Sequence, residues 1–175
     1  MSVVRLIIVG DEVLSGEVQD RNIHFLATRL QELGTRVRHI AVIPDEDPAI
    51  VAAIQAGLAA GERMLVTGGI GPTHDDRTLL AIARATGRPL RRHPVIEAEL
   101  RAYYGERLTP EALTMADLPE GTELRAGPGW PALRLDLQVP QPSRVYILPG
   151  VPPLLRAKVE RLEALPDELP RGQGW

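Results

Sequence analysis

Met64-Leu65-Val66-Thr67-Gly68-Gly69-Ile70-Gly71-Pro72-Thr73-His74-Asp75-Asp76-Arg77-Thr78 is the stretch on which the fold turns. Met64 to Thr67 is a short apolar run that reads as a buried strand. Three glycines follow, and without Cβ atoms they let backbone N–H groups face outward and approach a ligand closely. A helix then starts near Asp76 to Thr78, and the positive end of its dipole attracts anions. Thr67, Gly68, Gly69, Gly71, Thr73 and Thr78 are therefore candidate phosphate-binding residues. Asp75 and Asp76 beside them are placed to bridge a divalent cation to a phosphate. The plainer alternative is a glycine turn in which Asp75 or Asp76 only caps the helix. His74 reads as a hydrogen-bonding bystander.

On the amino-terminal side, Val3 to Val9 is an apolar run broken only by Arg5 and ended by Gly10. It predicts another buried parallel strand. Asn22 is placed to cap a helix in which Ile23, Leu26, Leu30 and Leu33 recur at helical spacing, with Gly34 closing it. Val37 to Ile43 alternates and predicts a second strand. Asp47 as cap and Pro48 at the first position start a helix with Ile50, Ile54 and Leu58 on one face, stopped by Gly61. On the carboxyl-terminal side, helices are predicted over Thr78 to Ala85, ended by Gly87, and over His93 to Tyr104. Thr109 to Gly129, rich in Pro and Gly, yields only a short helix at Glu111 to Met115. Leu133 to Val139 predicts a half-exposed strand and Val145 to Leu148 a last short one. Pro149-Gly150 is a turn and Pro152 to Leu165 a closing helix. One domain over residues 1–165 is expected, with a poorly ordered tail over 166–175.

Strands alternating with helices predict an α/β domain, a parallel sheet covered on both faces. In such sheets ligands bind beyond the carboxyl ends of the strands. The residues there are Gly10-Asp11-Glu12, Pro44-Asp45, Thr67-Gly68-Gly69 and Pro149-Gly150. Gly10, Ser15, Pro149 and Gly150 join the candidate binding residues. Asp11 joins Asp75 and Asp76 as a candidate metal ligand. Asp45 stands in a Pro-Asp-Glu-Asp run that otherwise reads as a solvated helix start. Trp130 is available to stack on a flat ring but reads first as a core anchor.

Composition removes several chemistries. The chain has 175 residues, 44% of them hydrophobic, and no cysteine, which excludes thiol nucleophiles and cysteine-zinc sites. Lys158, the sole lysine, lies in the last predicted helix, away from any Walker-type loop. No serine sits in a nucleophile elbow. The net charge of −3 comes without a basic stretch, so neither nucleic acid nor a membrane surface is an expected partner. No apolar segment approaches the roughly 18 residues of a membrane span, and the run from Met1 enters a strand with no signal-peptide pattern; a cytoplasmic location is the default expectation. What remains is chemistry by carboxylates, backbone amides, arginine and a hard metal ion.

The Thr-Gly-Gly-x-Gly-Pro-Thr-x-Asp-Asp-x-Thr pattern at 67–78 resembles the MoaB/Mog-like molybdopterin-binding domain of molybdenum cofactor biosynthesis. Gly10-Asp11-Glu12-x-Leu14-x-Gly16, Asp20-x-Asn22, Phe25-Leu26 and Leu148-Pro149-Gly150-Val151-Pro152 bring it closer to the CinA-like competence/damage-inducible proteins and the amino-terminal domain of FAD synthases. The resemblance runs from about Val4 to Leu162. It implies a three-layer α/β/α sandwich around a mostly parallel mixed sheet of about five strands, one of them antiparallel near the carboxyl terminus, and a homo-oligomer. It also implies a ligand, molybdopterin or an adenine nucleotide, and a divalent metal such as magnesium. By motif position the two aspartates central to the chemistry are Asp45 and Asp76. The molybdenum branch implies adenylyl transfer to the pterin phosphate. The CinA-like branch implies metal-dependent hydrolysis of nucleotide diphosphates such as ADP-ribose. A binding module without turnover stays open beside both. Departures fall at Met115-Ala116, where the subgroup has Gln-Ala, and near Ala126 to Leu133, where an Asn and an Ala-Pro-Gly stretch are expected. The CinA-like proteins carry a second, amidase domain, and with the sequence ending at Trp175 that deamidation is not expected.

Overall fold

The computed structural model describes residues 3–125 and 129–169. The run Val3–Val9 forms β1, and apart from Arg5 it is apolar because both its faces are covered. Val4 and Leu6 pack with the helices on one side, Ile7 and Val9 with those on the other. The one charge in the run, Arg5, is met by the buried Glu62, whose carboxylate accepts a 2.6 Å hydrogen bond from it.

After β1 come a short helix α1 (Asp11–Leu14), α2 (Asn22–Glu32), β2 (Arg36–Ile43), α3 (Asp47–Ala59), β3 (Arg63–Thr67) and α4 (Thr78–Thr86). A short strand β4 (Leu90–Arg92) and α5 (Pro94–Tyr104) follow, then α6 (Pro110–Leu113), β5 (Asp117–Pro119), β6 (Glu123–Arg125), β7 (Ala132–Leu137), β8 (Ser143–Leu148) and α7 (Pro152–Ala164). The main sheet has six strands in the order β2-β1-β3-β8-β7-β6. β2, β1, β3 and β8 run parallel, and β7 is antiparallel to both its neighbours. This is the mixed, mostly parallel sheet the resemblance implies, with β6 as its sixth strand. Helices α2 and α7 cover one face through Leu26, Leu30, Leu155 and Val159. Helices α3, α4 and α5 cover the other through Ile50, Ile54, Ile82 and Ile96.

The elements that the sequence left unread are short. β4, β5 and β6 have three residues each, too few to show a period of two. β4 and β5 form a separate ribbon, clamped by a two-pronged ion pair from Arg92 to Asp117 at 2.5 and 2.9 Å. The strand expected to reach Val139 ends at Leu137, and Val139 lies exposed before Pro140.

Two helix starts differ from the expected capping. Asn22 sits inside α2 instead of capping it; Asp20 Oδ1 accepts from Ile23 N at 2.7 Å in its place. Asp47 is likewise the first residue of α3 and uses its carboxylate on Arg77 and Arg84. The poorly ordered tail is expected from Pro166 onward, but residues just after it are packed. Glu168 and Leu169 are buried, and residues 170–175 lie outside the described residues.

Glu168 ties this segment to the sheet. Its carboxylate accepts hydrogen bonds from Arg125 (2.5 Å), Arg134 (2.8 Å) and the Tyr146 hydroxyl (3.0 Å). Burial works against the carboxylate charge, but the hydrogen bonds from Arg125 and Tyr146 and the two guanidinium charges outweigh it and hold the carboxyl below its ordinary value. Burial pushes the Tyr146 phenol up to about 12.

Candidate functional site

The chain passes from β1 outward to β2, then crosses back to place β3 on the other side of β1. At that reversal the connections leave the sheet in opposite directions, and a crevice opens above the carboxyl ends of β1 and β3. A cleft of about 1400 Å³ occupies it. Asp11, Asp45, Asp75 and Asp76 line this cleft, as do Thr67, Gly68, Gly69, Gly71 and Thr73 and, from the turn after β8, Pro149 and Gly150. Residues from four separate turns thus meet in one place.

The glycine turn is built by close approach. Gly68 has φ of +92°, and any Cβ there would collide with the Val9 carbonyl oxygen of the neighbouring strand. Gly150 packs on the same spot, where a Cβ would lie 3.1 Å from Gly68 Cα. The turn is stapled by Thr78, whose hydroxyl donates to the Gly68 carbonyl at 2.8 Å and whose N–H donates to the Gly69 carbonyl at 2.9 Å. Among the described residues no acceptor takes the N–H groups of Gly69, Ile70 and Gly71.

The carboxylates have distinct settings. Asp45 Oδ2 accepts from the Asp11 N–H at 3.0 Å, and Asp45 Oδ1 lies against Gly69. Burial raises the Asp45 carboxyl above its ordinary value. The Asp11 N–H opposes this, and the negative charges of Asp11, Glu12 and Asp76 reinforce it. Asp76 does not cap α4. Its Oδ2 accepts from Thr73 N at 2.9 Å and Thr73 Oγ1 at 2.6 Å, closing the loop on itself. Asp75 is exposed and pairs with His74 at 3.1 Å. No arginine or lysine among the described residues pairs with Asp11, Glu12, Asp45 or Asp76.

Three candidates lie off the cleft lining. Gly10 donates its N–H to the Ile43 carbonyl at 3.1 Å. The Ser15 hydroxyl donates to the Glu12 carbonyl at 3.3 Å on an exposed turn. Thr78 is fully buried and serves the turn itself. The cleft also holds residues that were not among the candidate site residues. The Asn22 side-chain amide donates to the Gly150 carbonyl at 2.7 Å, fixing the turn after β8 to α2. Tyr103 and Met115 line the wall formed by α5 and its neighbours, and no spacing in the sequence brings them to the glycine turn. Trp130 packs on the core, as its first reading had it, and also lines the cleft. Among the described residues, no hydrogen-bond partner reaches the buried Thr67 Oγ1 or Trp130 Nε1. Among the described residues no helix is long and apolar enough to cross a membrane.

The family profile described as probable molybdopterin binding domain matches residues 5–167. A CinA-like protein of Syntrophus aciditrophicus is 35% identical over 156 residues, covering 87% of this chain and 37% of the relative. One of Salinibacter ruber is 33% identical over 159 residues, covering 89% of this chain and 39% of the relative. The chain thus spans less than half the length of these curated relatives. Among solved structures, CinA from Thermoplasma acidophilum, described as of unknown function, superposes with a TM-score of 0.85 at 31% identity, covering 93% of this chain and 96% of that one. The molybdopterin biosynthesis enzyme MoaB from Thermus thermophilus superposes with a TM-score of 0.64 at 23% identity over 100% and 99% of the two chains, a likeness of fold. With the motifs, the sheet order and the profile in agreement over nearly the whole chain, this protein belongs to the molybdopterin-binding domain family shared by MoaB and Mog, and within it is CinA-like.

Proposed function

We propose that the cleft binds a nucleotide diphosphate such as ADP-ribose together with a divalent cation of the magnesium type, and hydrolyses its phosphoanhydride. The observation that carries this reading is the meeting of an amide-lined glycine turn, suited to an anion, with carboxylates that no arginine or lysine among the described residues pairs with, suited to a cation. Among the described residues no three carboxylates or histidines converge into a ready metal site. That pattern fits magnesium, which is commonly held by one or two carboxylates and completed by substrate phosphates and water. Asp11, with Asp76 and Asp75 on the other bank, would hold it, which leaves the Asp45 carboxylate to act on water. When bound, the cation would neutralise charge on the phosphates and favour departure of the leaving phosphate.

The protein's own part follows from the geometry. The N–H groups of Gly69, Ile70 and Gly71 receive phosphate oxygens and stabilise charge as it builds. Thr78 and Asp76 keep that turn from relaxing. Asp45, held by the Asp11 N–H and made more basic by burial and its acidic neighbours, takes a proton from the attacking water. The water oxygen bonds to phosphorus, the bridging P–O bond breaks, and the leaving phosphate departs with its electron pair.

One observation favours a second reading. The Asp76 carboxylate is engaged by Thr73, which suits a loop that binds a molybdopterin or nucleotide phosphate without turnover, or positions it for adenylyl transfer. Incubation with ADP-ribose and Mg²⁺ or Co²⁺, read by chromatography, separates the two. Metal-dependent AMP that disappears in Asp45→Asn and Asp76→Asn supports hydrolysis. Saturable binding with no AMP leaves the binding reading.

A further inference from the structure

We infer that the domain carries a second oxyanion site beside the cleft, formed by Arg21 and Arg156. It takes a phosphate-monoester dianion, either free or as the far end of a ligand seated in the cleft. The inference does not depend on hydrolysis.

Arg21 leads into α2 with helical backbone angles, and its carbonyl accepts from Phe25 N at 3.4 Å. The two side chains are one turn apart and so share a face of the helix. From α7, Arg156 sets its guanidinium carbon over the Phe25 ring, 5.2 Å from the centroid. Guanidinium groups from two helices thereby line one pocket of about 640 Å³, a volume in the range of small-molecule sites. Pro152 and Pro153, in the first turn of α7, line it too; having no N–H, they leave recognition of an anion to the side chains. Glu17, Val18, Gln19, Arg21 and Pro152 also line the cleft, and they form the wall common to both.

The positive charge here is uncompensated. Farther along the same α2–α7 seam, Arg29 donates to Glu163 at 2.7 and 2.6 Å and to Glu32 at 2.6 Å. Among the described residues no carboxylate lies within 4 Å of the Arg21 or Arg156 guanidinium, although Glu17 stands on the rim of the same pocket. Two like charges on one wall repel each other, and a dianion bound beside both removes that repulsion. Guanidinium groups present paired N–H donors that match phosphate oxygens, and Gln19 adds an amide donor. Arg156 is already ordered by its contact with Phe25, which lowers the entropy lost on binding. Val18, Pro152 and Pro153 exclude water from one side and so strengthen the charge contact.

The full chain, isotope-labelled, is titrated with inorganic phosphate and, at equal ionic strength, with chloride, while the arginine Nε–H signals are followed by NMR. Arg21→Gln and Arg156→Gln assign the two signals, and both positions are exposed, so the variants keep the fold. Phosphate should shift both signals saturably where chloride does not, and each substitution should weaken phosphate at the remaining arginine about tenfold. Calorimetry with AMP and with adenosine 3′,5′-bisphosphate separates the two sources. If the dianion arrives on the cleft ligand, the bisphosphate binds at least about tenfold tighter than AMP, and the double variant abolishes the gain. If it arrives free, the two nucleotides bind alike and phosphate still shifts both signals with AMP present. The inference is overturned if neither a phosphate shift nor a bisphosphate gain depends on Arg21 and Arg156. That result would leave the hydrolytic reading of the cleft untouched, and absence of AMP from ADP-ribose would leave this site standing.

Discussion

Asp45 and Gly69, on turns that follow two different strands, touch: a methyl group on Gly69 would lie 3.3 Å from Asp45 Oδ1. The contact brings a carboxylate whose charge is disfavoured by burial onto the backbone that would seat a phosphate. Stability and function therefore pull in opposite directions at this point.

Asp45→Asn should raise thermal stability while removing metal-dependent turnover. Burial and three neighbouring carboxylates raise the Asp45 carboxyl in the folded state, so ionising it opposes folding. The sign follows: the native state gains from a neutral group here, and the wild type loses this advantage as pH rises above the ordinary value of 3.8 and through the raised one. Asn keeps an oxygen to accept from the Asp11 N–H. The expected result at pH 7 is a Tm higher by a few degrees. A Tm lower than wild type, by differential scanning fluorimetry without metal, would count against the electrostatic account.

Gly69→Ala and Gly16→Ala form a matched pair. Both glycines have positive φ, +63° and +77°, so both substitutions carry a backbone penalty of about 1 kcal/mol. Only at Gly69 does the new methyl overlap the Thr78 hydroxyl; around Gly16 nothing lies within 4 Å. Urea melts should show Gly69→Ala at least 1 kcal/mol worse than Gly16→Ala. Ligand binding should be lost in the first and kept in the second.

Asn22→Ala removes the 2.7 Å hydrogen bond to the Gly150 carbonyl. The bond joins α2 to the turn after β8, and Asn22 is itself buried. The expected loss is about 1–3 kcal/mol in urea unfolding. Ligand affinity should fall as well, because Gly150 packs directly on Gly68. Unchanged affinity in a folded variant would show that the two turns are set independently.

Asp47→Asn tests the brace between α3 and α4. Hydrogen bonds from Arg77 hold the Asp47 carboxyl below its ordinary value; burial opposes them, and the charges of Arg77 and Arg84 add to them. Such a group stabilises the fold above its unfolded value of 3.8 and loses that contribution as pH falls through the lower folded value. Both arginines are substantially exposed, so the variant should be destabilised by only about 1 kcal/mol at pH 7. The difference from wild type should shrink below pH 4 in melts taken across that range.

Glu168→Ala should be the most damaging of these changes. It strips Arg125, Arg134 and Tyr146 of their shared partner and leaves guanidinium charge facing a buried site. A loss of about 3–5 kcal/mol is expected in urea unfolding. A loss under 1 kcal/mol would mean that the segment after α7 contributes little to the fold.

The long elements were legible because their periods are long enough to count. β1 is apolar on both faces, and α2, α3 and α4 repeat Leu or Ile at helical spacing between stop signals. Asp11, Asp45 and the first glycines were legible as candidates because each closely follows a readable strand, and Asp76 because it ends the glycine-turn motif just before a readable helix. The three-residue strands β4, β5 and β6 had no period to show. Cap assignments at Asn22 and Asp47 went astray for another reason: a side chain that satisfies a helix N-terminus in isolation is drawn to a better partner when the fold supplies one.

The sequence by itself determined the layered α/β architecture, the glycine turn and the family, since these depend on local period, on glycine's freedom at positive φ and on motifs contiguous in the chain. Only the tertiary structure decided what those residues face. It set Asp45 against Gly69, gave the Asp76 carboxylate to Thr73, directed Thr78 inward to staple the turn, and brought Tyr103 and Trp130 to the cleft from elements far apart in sequence. The reason is that hydrogen bonds and charge interactions act over a few ångströms in space, and the distance between two side chains from different turns is fixed by the packing of the strands and helices beneath them, not by their spacing along the chain.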